Sequence, residues 1–240
     1  MKTLTKTIVV ISAALSLSLI SAKAQVIITE VDPAGSGTSA YGADWFELTN
    51  EGSSAVSLSG WKMDDNSDSD ADAVSLTGVN SIAAGQSVAF IEDTGNAKAG
   101  ITDAQLGAEF TAAWFGSSVP AGFTLGFYGG SGVGLSTNGD GVNIFNSSGV
   151  QVTGVLFGSS ASNGATFDNS VAQLGGTLGN DPTISTFSVA GVNGAFDSNS
   201  SGEVGSPGVA EAPEPSSFTM ILGSFGLLAL GMRRRITNLL

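Results

Sequence analysis

The stretch between residues 44 and 61 constrains the fold of this chain more than any other. Its first half, Asp-Trp-Phe-Glu-Leu-Thr-Asn at 44–50, places Phe46 and Leu48 on one face and the residues between them on the other. This period of two is typical of a β-strand. Val56 and Leu58 repeat the alternation after a Gly/Ser-rich turn. We therefore predict a β-hairpin with a tryptophan near each of its ends.

Short apolar runs separated by turn residues fill most of the remaining chain. The run at 86–92 is apolar on both faces, which predicts a central strand, and the tight turn at 146–149 predicts a second hairpin. Further strands are predicted at 26–31, 74–76, 79–83, 123–128, 133–135, 142–145, 151–157, 165–167 and 184–189. Turn signals at this spacing indicate an all-β sandwich or barrel.

One segment breaks the strand pattern. Leu106, Phe110 and Trp114 recur at the spacing of one helical stripe, and Thr102 with Gln105 forms a capping box. We predict one short inserted helix over residues 102–115, packed across the end or face of a sheet with its aromatic stripe in the core.

The N-terminal segment predicts export. Lys2 and Lys6 precede an apolar stretch at 8–20, and Ala22 and Ala24 form the A-x-A pattern that signal peptidase cleaves. We predict a helical signal peptide over residues 1–24 and an exported domain over 25–209.

The C-terminal segment is a second apolar run, at 218–232, that ends in Arg233, Arg234 and Arg235. Fifteen residues make a helix of roughly 22 Å, which is shorter than the ~30 Å hydrocarbon core of a bilayer. By the positive-inside rule the arginines stay cytoplasmic, so the preceding chain lies on the exported side. The sequence predicts that the hydrophobic helix and basic tail at 218–240 anchor the chain in the inner membrane, at least transiently, after a linker at 210–217.

Composition excludes several functions. The chain has 8 basic and 21 acidic residues, and Lys62 and Lys98 are the only basic residues between the two end segments. Such a charge repels nucleic acids, so we predict no nucleic-acid partner. The chain contains no Cys and no His, which removes disulfides, the usual zinc sites and Ser-His-Asp catalysis.

The 44–50 segment, together with Leu-Ser-Gly-Trp at 58–61 and Asp-Asp at 64–65, resembles the lamin tail domain as it occurs in bacterial secreted proteins. Similar landmarks recur at 29–31, 82–90, 135–145 and 205–208, so the resemblance covers nearly all of the exported domain. It implies an immunoglobulin-like β-sandwich, to which the predicted helix is an addition.

A second resemblance is carried by Pro213, Glu214 and Pro215, followed by the apolar run and the terminal arginines. This arrangement resembles a PEP-CTERM sorting signal. The resemblance implies a Gram-negative bacterium that makes extracellular polysaccharide, processing by an exosortase-type enzyme of the inner membrane, and a final place at the cell surface or in the extracellular matrix.

The acidic loop at 64–72 is the best candidate for a binding site. Carboxylate and amide oxygens suit Ca²⁺, and the loop alternates them in the order Asp64, Asn66, Asp68, Asp70 and Asp72. It is not an EF-hand, because serine stands at the positions of the required Gly and bidentate Glu. A solvated loop without calcium is the alternative.

Other chemistry has weaker support. Glu30, Asp44 and Glu47 supply the paired acids that a glycosidase needs, but nothing besides acid count favours catalysis. Exposed aromatic side chains could stack on sugars, although burial is the ordinary expectation for Tyr41, Trp61 and Tyr128. We predict an exported structural or adhesive protein with no catalysis and no resident cofactor. The alternative is a carbohydrate-binding or calcium-dependent module of the polysaccharide matrix.

Overall fold

The computed structural model describes residues 26–209 except 94, 96 and 131. The predicted signal peptide, the C-terminal apolar helix and all of the predicted sorting residues lie outside this part of the chain. The strands are β1 Val26–Asp32, β2 Trp45–Asn50, β3 Val56–Ser57, β4 Lys62–Asp64, β5 Val74–Ser75, β6 Ser81–Ile82, β7 Ser87–Glu92, β8 Leu125–Tyr128, β9 Asp140–Phe145, β10 Gln151–Phe157, β11 Phe167–Asp168, β12 Thr183–Ile184, β13 Phe196–Asp197 and β14 Val204–Gly205. The helices are α1 Gly35–Thr38 and α2 Asp103–Phe115.

Most of these strands belong to two five-stranded sheets. The first has the order β11-β1-β2-β7-β8 and the second the order β12-β10-β9-β4-β5. Pairing is antiparallel in both sheets except between β7 and β8 and between β10 and β12. The two sheets enclose one apolar core, to which Ile28, Phe46 and Phe90 contribute from the first sheet and Ile144 and Val155 from the second. The predicted immunoglobulin-like β-sandwich is confirmed.

Strand β2 lies at the centre of the first sheet and is buried on both faces. Phe46 and Leu48 belong to the core between the sheets, whereas Trp45 packs against α2, so the predicted division of faces is correct. The predicted hairpin with residues 56–61 is wrong, because β2 pairs with β1 and β7 while β3 pairs with β6. Strand β3 has only two residues, and it buries much less apolar surface than the longer β1 and β7.

Helix α2 covers part of the outer face of the first sheet, the face turned away from the second sheet. Thr102 Oγ1 accepts the Gln105 N–H, and the Gln105 side chain accepts the Thr102 N–H, so the predicted capping box is present. Leu106, Phe110 and Trp114 are all buried against β2 and β7. The predicted aromatic stripe therefore belongs to a second apolar cluster.

A second, four-residue helix that the sequence did not predict follows β1. This helix, α1, occupies the Gly/Ser-rich stretch that the sequence indicated as a loop. It lies so close to the segment before β2 that a Cβ on Gly35 would be 2.1 Å from the Ala43 carbonyl oxygen. Only glycine fits at this position, because any side chain would overlap that carbonyl oxygen.

Both edges of the first sheet are hydrogen-bonded to chain that crosses over from the second sheet. Thr77, just after β5, exchanges two backbone hydrogen bonds with Phe127 of β8. At the opposite edge, just after β12, Ser188 N donates to Thr166 O, and Asp168 N donates to Thr186 O. Backbone hydrogen bonds therefore connect the two sheets at both edges of the first sheet.

Candidate functional site

Two groups of acidic side chains stand out in the described part of the chain. The first is the predicted acidic loop at 64–72, which joins β4 to β5. The second is a set of four buried carboxyl groups, here called the acid cluster, from Glu30, Asp32, Glu47 and Glu203. Their geometry indicates different roles.

In the acidic loop the side chains are mainly engaged with the protein itself. Asp64 Oδ2 accepts hydrogen bonds from Ser67 Oγ and from Ser69 N, both at 2.7 Å. Asp68, which has a φ of 52°, accepts the Gly179 N–H at 2.5 Å. Asp70 forms an ion pair with Lys62, with 2.5 Å between Asp70 Oδ1 and Lys62 Nζ. These contacts hold the loop against neighbouring segments of the same protein.

The five predicted calcium ligands do not form a metal cage in this arrangement. Over residues 26–209, apart from the three undescribed positions, no three acidic side chains converge on a point that could hold a metal ion. Asp64 Oδ1 and Asp68 Oδ1 are buried oxygen atoms that accept no hydrogen bond from the described chain. Burial also raises the pKa of Asp64 above its ordinary value. Calcium binding at this loop stays a prediction.

The acid cluster lies on the outer face of the first sheet, beside the part that α2 covers. The last described stretch of chain, residues 203–209, covers it and is here called the terminal segment. Glu30 accepts the Ser206 N–H at 2.9 and 3.0 Å and the Ser206 hydroxyl at 3.0 Å. Glu47 Oε2 accepts the Gly208 N–H at 2.5 Å. Two carboxyl groups of the sheet therefore bind the backbone of the terminal segment directly.

Hydroxyl groups of the sheet complete the surroundings of these two acids. Thr166 Oγ1 donates to Glu30 at 2.5 Å, and Thr29 Oγ1 donates to Glu47 at 2.7 Å. The Thr29 hydroxyl also contacts that of Thr49 at 2.9 Å. Since a hydroxyl group both donates and accepts, this polar row can adapt to either protonation state of Glu47.

The other two acids of the cluster meet at the opposite end of β1. Asp32 Oδ2 accepts the Trp45 indole N–H at 3.1 Å, and Glu203 Oε1 accepts the Tyr41 hydroxyl at 2.9 Å. The Asp32 and Glu203 carboxyl groups are within hydrogen-bonding reach of each other. Glu203 Oε2 is buried and accepts no hydrogen bond from the described N–H groups or from hydroxyl groups, so a proton on Asp32 supplies a donor to this pair.

Burial dominates the ionisation of three acids of the cluster, Glu30, Asp32 and Glu47. It raises the pKa of Glu30 to about 7 and, together with the nearby Glu30 charge, raises the pKa of Glu47 to about 8. It also raises the pKa of Asp32 well above its ordinary value, and Glu203 adds to this effect. The two described lysines, Lys62 and Lys98, pair with Asp70 and Glu109 elsewhere. Glu30, Asp32 and Glu47 therefore retain protons to unusually high pH.

The structure brings together two of the three acids that the sequence suggested as a glycosidase pair, but it makes them inaccessible. Glu30 and Glu47 are cross-strand partners with exposures of 1% and 0%. Asp44 is buried separately and accepts the Ser36 N–H at 2.8 Å. A sugar ring has no access to any of the three carboxyl groups.

Two open cavities also lack an acid pair. One, of about 480 Å³, lies along α2 and β8 and has Asp103 as its single carboxyl group. The other, of about 630 Å³, lies where Gln86 faces Val209 and has no acidic lining residue. Neither cavity offers the two carboxylates that glycoside hydrolysis uses.

The aromatic side chains suggested for sugar stacking are in the interior. Tyr41, Trp61 and Tyr128 have exposures of 0%, 8% and 1%. Tyr41 accepts the Trp114 indole N–H at 3.3 Å and therefore connects α2 to the acid cluster. These three residues cannot form a carbohydrate platform, and the ordinary expectation of burial is correct.

Sequence reasoning missed Asp32 and Glu203 and did not foresee the burial of Glu30 and Glu47. In the sequence, Asp32 is only the first residue after the predicted strand at 26–31, and Glu203 lies in a stretch with no predicted element. One signal was available, because Glu30 and Glu47 both lie inside strands whose neighbouring residues are strongly apolar.

These observations define an immunoglobulin-like domain whose buried acids bind the last described segment of its chain. Residues 20–159, which are more than half of the chain, match the Lamin Tail Domain family. The protein therefore belongs to that family. Residues 211–235 match the PEP-CTERM protein-sorting motif, which implies sorting by an exosortase-type system. Searches of curated proteins and of solved structures gave no match. Within the described part of the chain, no helix is sufficiently long and apolar to span a membrane.

Proposed function

We propose that the protein is a structural or adhesive component of the cell surface or extracellular matrix and that it performs no catalysis. The observation that carries this proposal is the sorting motif at 211–235, which begins directly after a domain whose candidate catalytic acids are buried. Signal peptidase removes residues 1–24, and the apolar run holds the chain in the inner membrane until an exosortase-type enzyme processes the Pro213–Pro215 region. The matrix is the extracellular polysaccharide of a Gram-negative host.

The positions of the two ends of the described chain support this proposal. Val26 pairs with Asn50, whose N–H donates to Gln86 O, and Val209 lines the same cavity as Gln86. Both ends of the domain therefore lie at one end of the first sheet. A domain tethered there presents the opposite end of the first sheet, where Asp32, Asp44 and Glu92 lie, away from the membrane.

Cell fractionation tests the sorting role. We expect the wild-type chain in the envelope and extracellular fractions, and a variant with alanine at Pro213, Glu214 and Pro215 to accumulate in the inner membrane. Replacement of Arg233–Arg235 by alanine should reduce membrane retention before processing. Glu109→Gln, at a half-exposed position on α2, is the matched control. An unchanged distribution of both tail variants would contradict the proposal.

A calcium-dependent carbohydrate-binding module is the second candidate. It is favoured by the two buried oxygen atoms of Asp64 and Asp68 that accept no hydrogen bond within the described chain. A glycan array probed with and without Ca²⁺ separates the candidates. Selective retention that requires Ca²⁺ supports the binding module, and its absence supports the structural role.

A further inference from the structure

The terminal segment is held by backbone hydrogen bonds of Val204 with Gly164 and Thr166 and, on either side of Val204, by contacts with carboxyl groups. Three of its residues make these contacts: Ser206 with Glu30, Gly208 with Glu47, and Glu203 with Tyr41 and Asp32. This segment leads directly into the linker before the sorting motif.

Packing beneath the terminal segment is too tight to admit water while the segment is bound. A Cβ on Gly205 would lie 2.3 Å from Glu30 Oε1 and 3.0 Å from the Trp114 ring. Glu30 and Glu47 are fully enclosed, and an ionised carboxylate in such a place lacks the hydration that it would have in solution. Lifting the terminal segment is the nearest way to restore that hydration.

Among the residues that the structure describes, no positive charge compensates these acids, because Lys62 and Lys98 pair with Asp70 and Glu109. Asp168 of β11 faces both Glu30 and Glu47, and Asp44 faces Asp32. The neutral groups that face the cluster are hydroxyl groups, backbone N–H groups and the Tyr41 phenol. Loss of protons therefore adds repulsion between neighbouring acids to the loss of hydration.

We propose that residues 206–209 of the terminal segment form a proton-dependent latch, closed on the sheet when Glu30 and Glu47 are protonated and released when they ionise. Release leaves β14 paired with β13 and adds these four residues to the chain that connects the domain to Pro213. The inference goes beyond sorting itself, and the latch can be tested without any processing enzyme.

The direction of the effect follows from proton linkage. In the closed form the pKa of Glu30 is about 7 and that of Glu47 about 8, whereas in the open form both return toward the ordinary glutamate value of 4.5. Between these limits the equilibrium constant for opening rises about tenfold per pH unit for each carboxyl group that ionises on opening. The latch is therefore most firmly closed near pH 4.5 and opens progressively toward pH 8.

Hydrogen exchange on the full-length chain in detergent micelles tests the latch. After correction for intrinsic exchange rates, we expect protection of the Ser206 and Gly208 amides to fall by about a hundredfold or more between pH 5 and pH 7. Amides of β10 serve as the internal reference for global unfolding, and the Ser206 and Gly208 amides should be less protected than these at both pH values, because they exchange through a local opening. If the two sets of amides have the same protection at both pH values, or if the protection of Ser206 and Gly208 does not change, the latch is refuted.

A double variant, Glu30→Gln with Glu47→Gln, gives the complementary test. The amide groups preserve the shape, and the Thr29 and Thr166 hydroxyl groups can accept hydrogen bonds in place of donating them. Protection of the terminal segment should then be independent of pH, while Glu109→Gln should behave as wild type. A double variant that retains the wild-type pH response overturns the proposal. If it does not fold, the wild-type comparison with β10 still decides.

Discussion

Substitution of Asp44 is the clearest test of how burial of a carboxyl group affects the unfolding free energy of this domain. Burial raises its pKa from 3.8 to about 7, with further contributions from Glu92 and Asp140, while its hydrogen bond with Ser36 opposes the rise. The folded protein therefore retains a proton that the unfolded chain releases near pH 4. This stabilisation is fully present below pH 3.8 and is lost as the pH rises toward 7.

The magnitude follows from the shift of about three pKa units at 1.36 kcal/mol each. Asp44 should lower the unfolding free energy by about 4 kcal/mol between pH 4 and pH 7. Asp44→Asn keeps an oxygen that can accept the Ser36 N–H but removes the ionisation. We expect the variant to match wild type within about 1 kcal/mol at pH 4 and to be more stable by up to about 4 kcal/mol at pH 7.

Urea unfolding followed by tryptophan fluorescence at pH 4, 5, 6 and 7 measures this difference. Glu109→Gln is the control, because Glu109 is half-exposed and should leave the pH dependence unchanged. If the difference between Asp44→Asn and wild type is the same at all four pH values, Asp44 is already ionised in the folded protein and the reasoning fails.

Three further predictions follow from the same structure. Trp114→Ala should lower the unfolding free energy by about 3–5 kcal/mol, measured by urea unfolding, because it empties a buried site between α2 and the sheet. Thr102→Ala should lower it by about 1 kcal/mol in the same assay through loss of the capping box; an equal loss in both variants would contradict the distinction between core and cap. Calcium should raise the melting temperature relative to a chelator control, and this rise should disappear in Asp64→Asn with Asp68→Asn; an unchanged melting temperature in wild type would exclude the site.

The elements that could be predicted are those whose signals are local. The capping box and stripe of α2 lie within one segment, and the turn at 146–149 is held by the hydrogen bond from Gly149 N to Asn146 O. The central position of β7 followed from its apolar residues on both faces. In each case, residues close in sequence were sufficient to specify the structure.

The features that could not be predicted depend on contacts between distant residues. Strand β2 pairs with β7 and not with β3, and this pairing depends on how much apolar surface the complete sheet buries. Likewise, Glu30 meets Ser206 across 176 positions of the chain, so its buried state is not apparent from its local sequence. The acidic loop is easily recognised in the sequence. Glu30 and Glu47, whose pKa values are raised by burial, are not.

Because both edges of the first sheet are hydrogen-bonded to other parts of the chain, the protein is less prone to aggregate at high concentration. A strand with free N–H and C=O groups recruits strands from other molecules and so promotes fibril growth. Here the outer side of β8 is bonded to Thr77, and that of β11 to residues 186–188, so both edges are already occupied by the chain's own backbone. The domain is thereby protected from strand-by-strand polymerisation at the edges of this sheet.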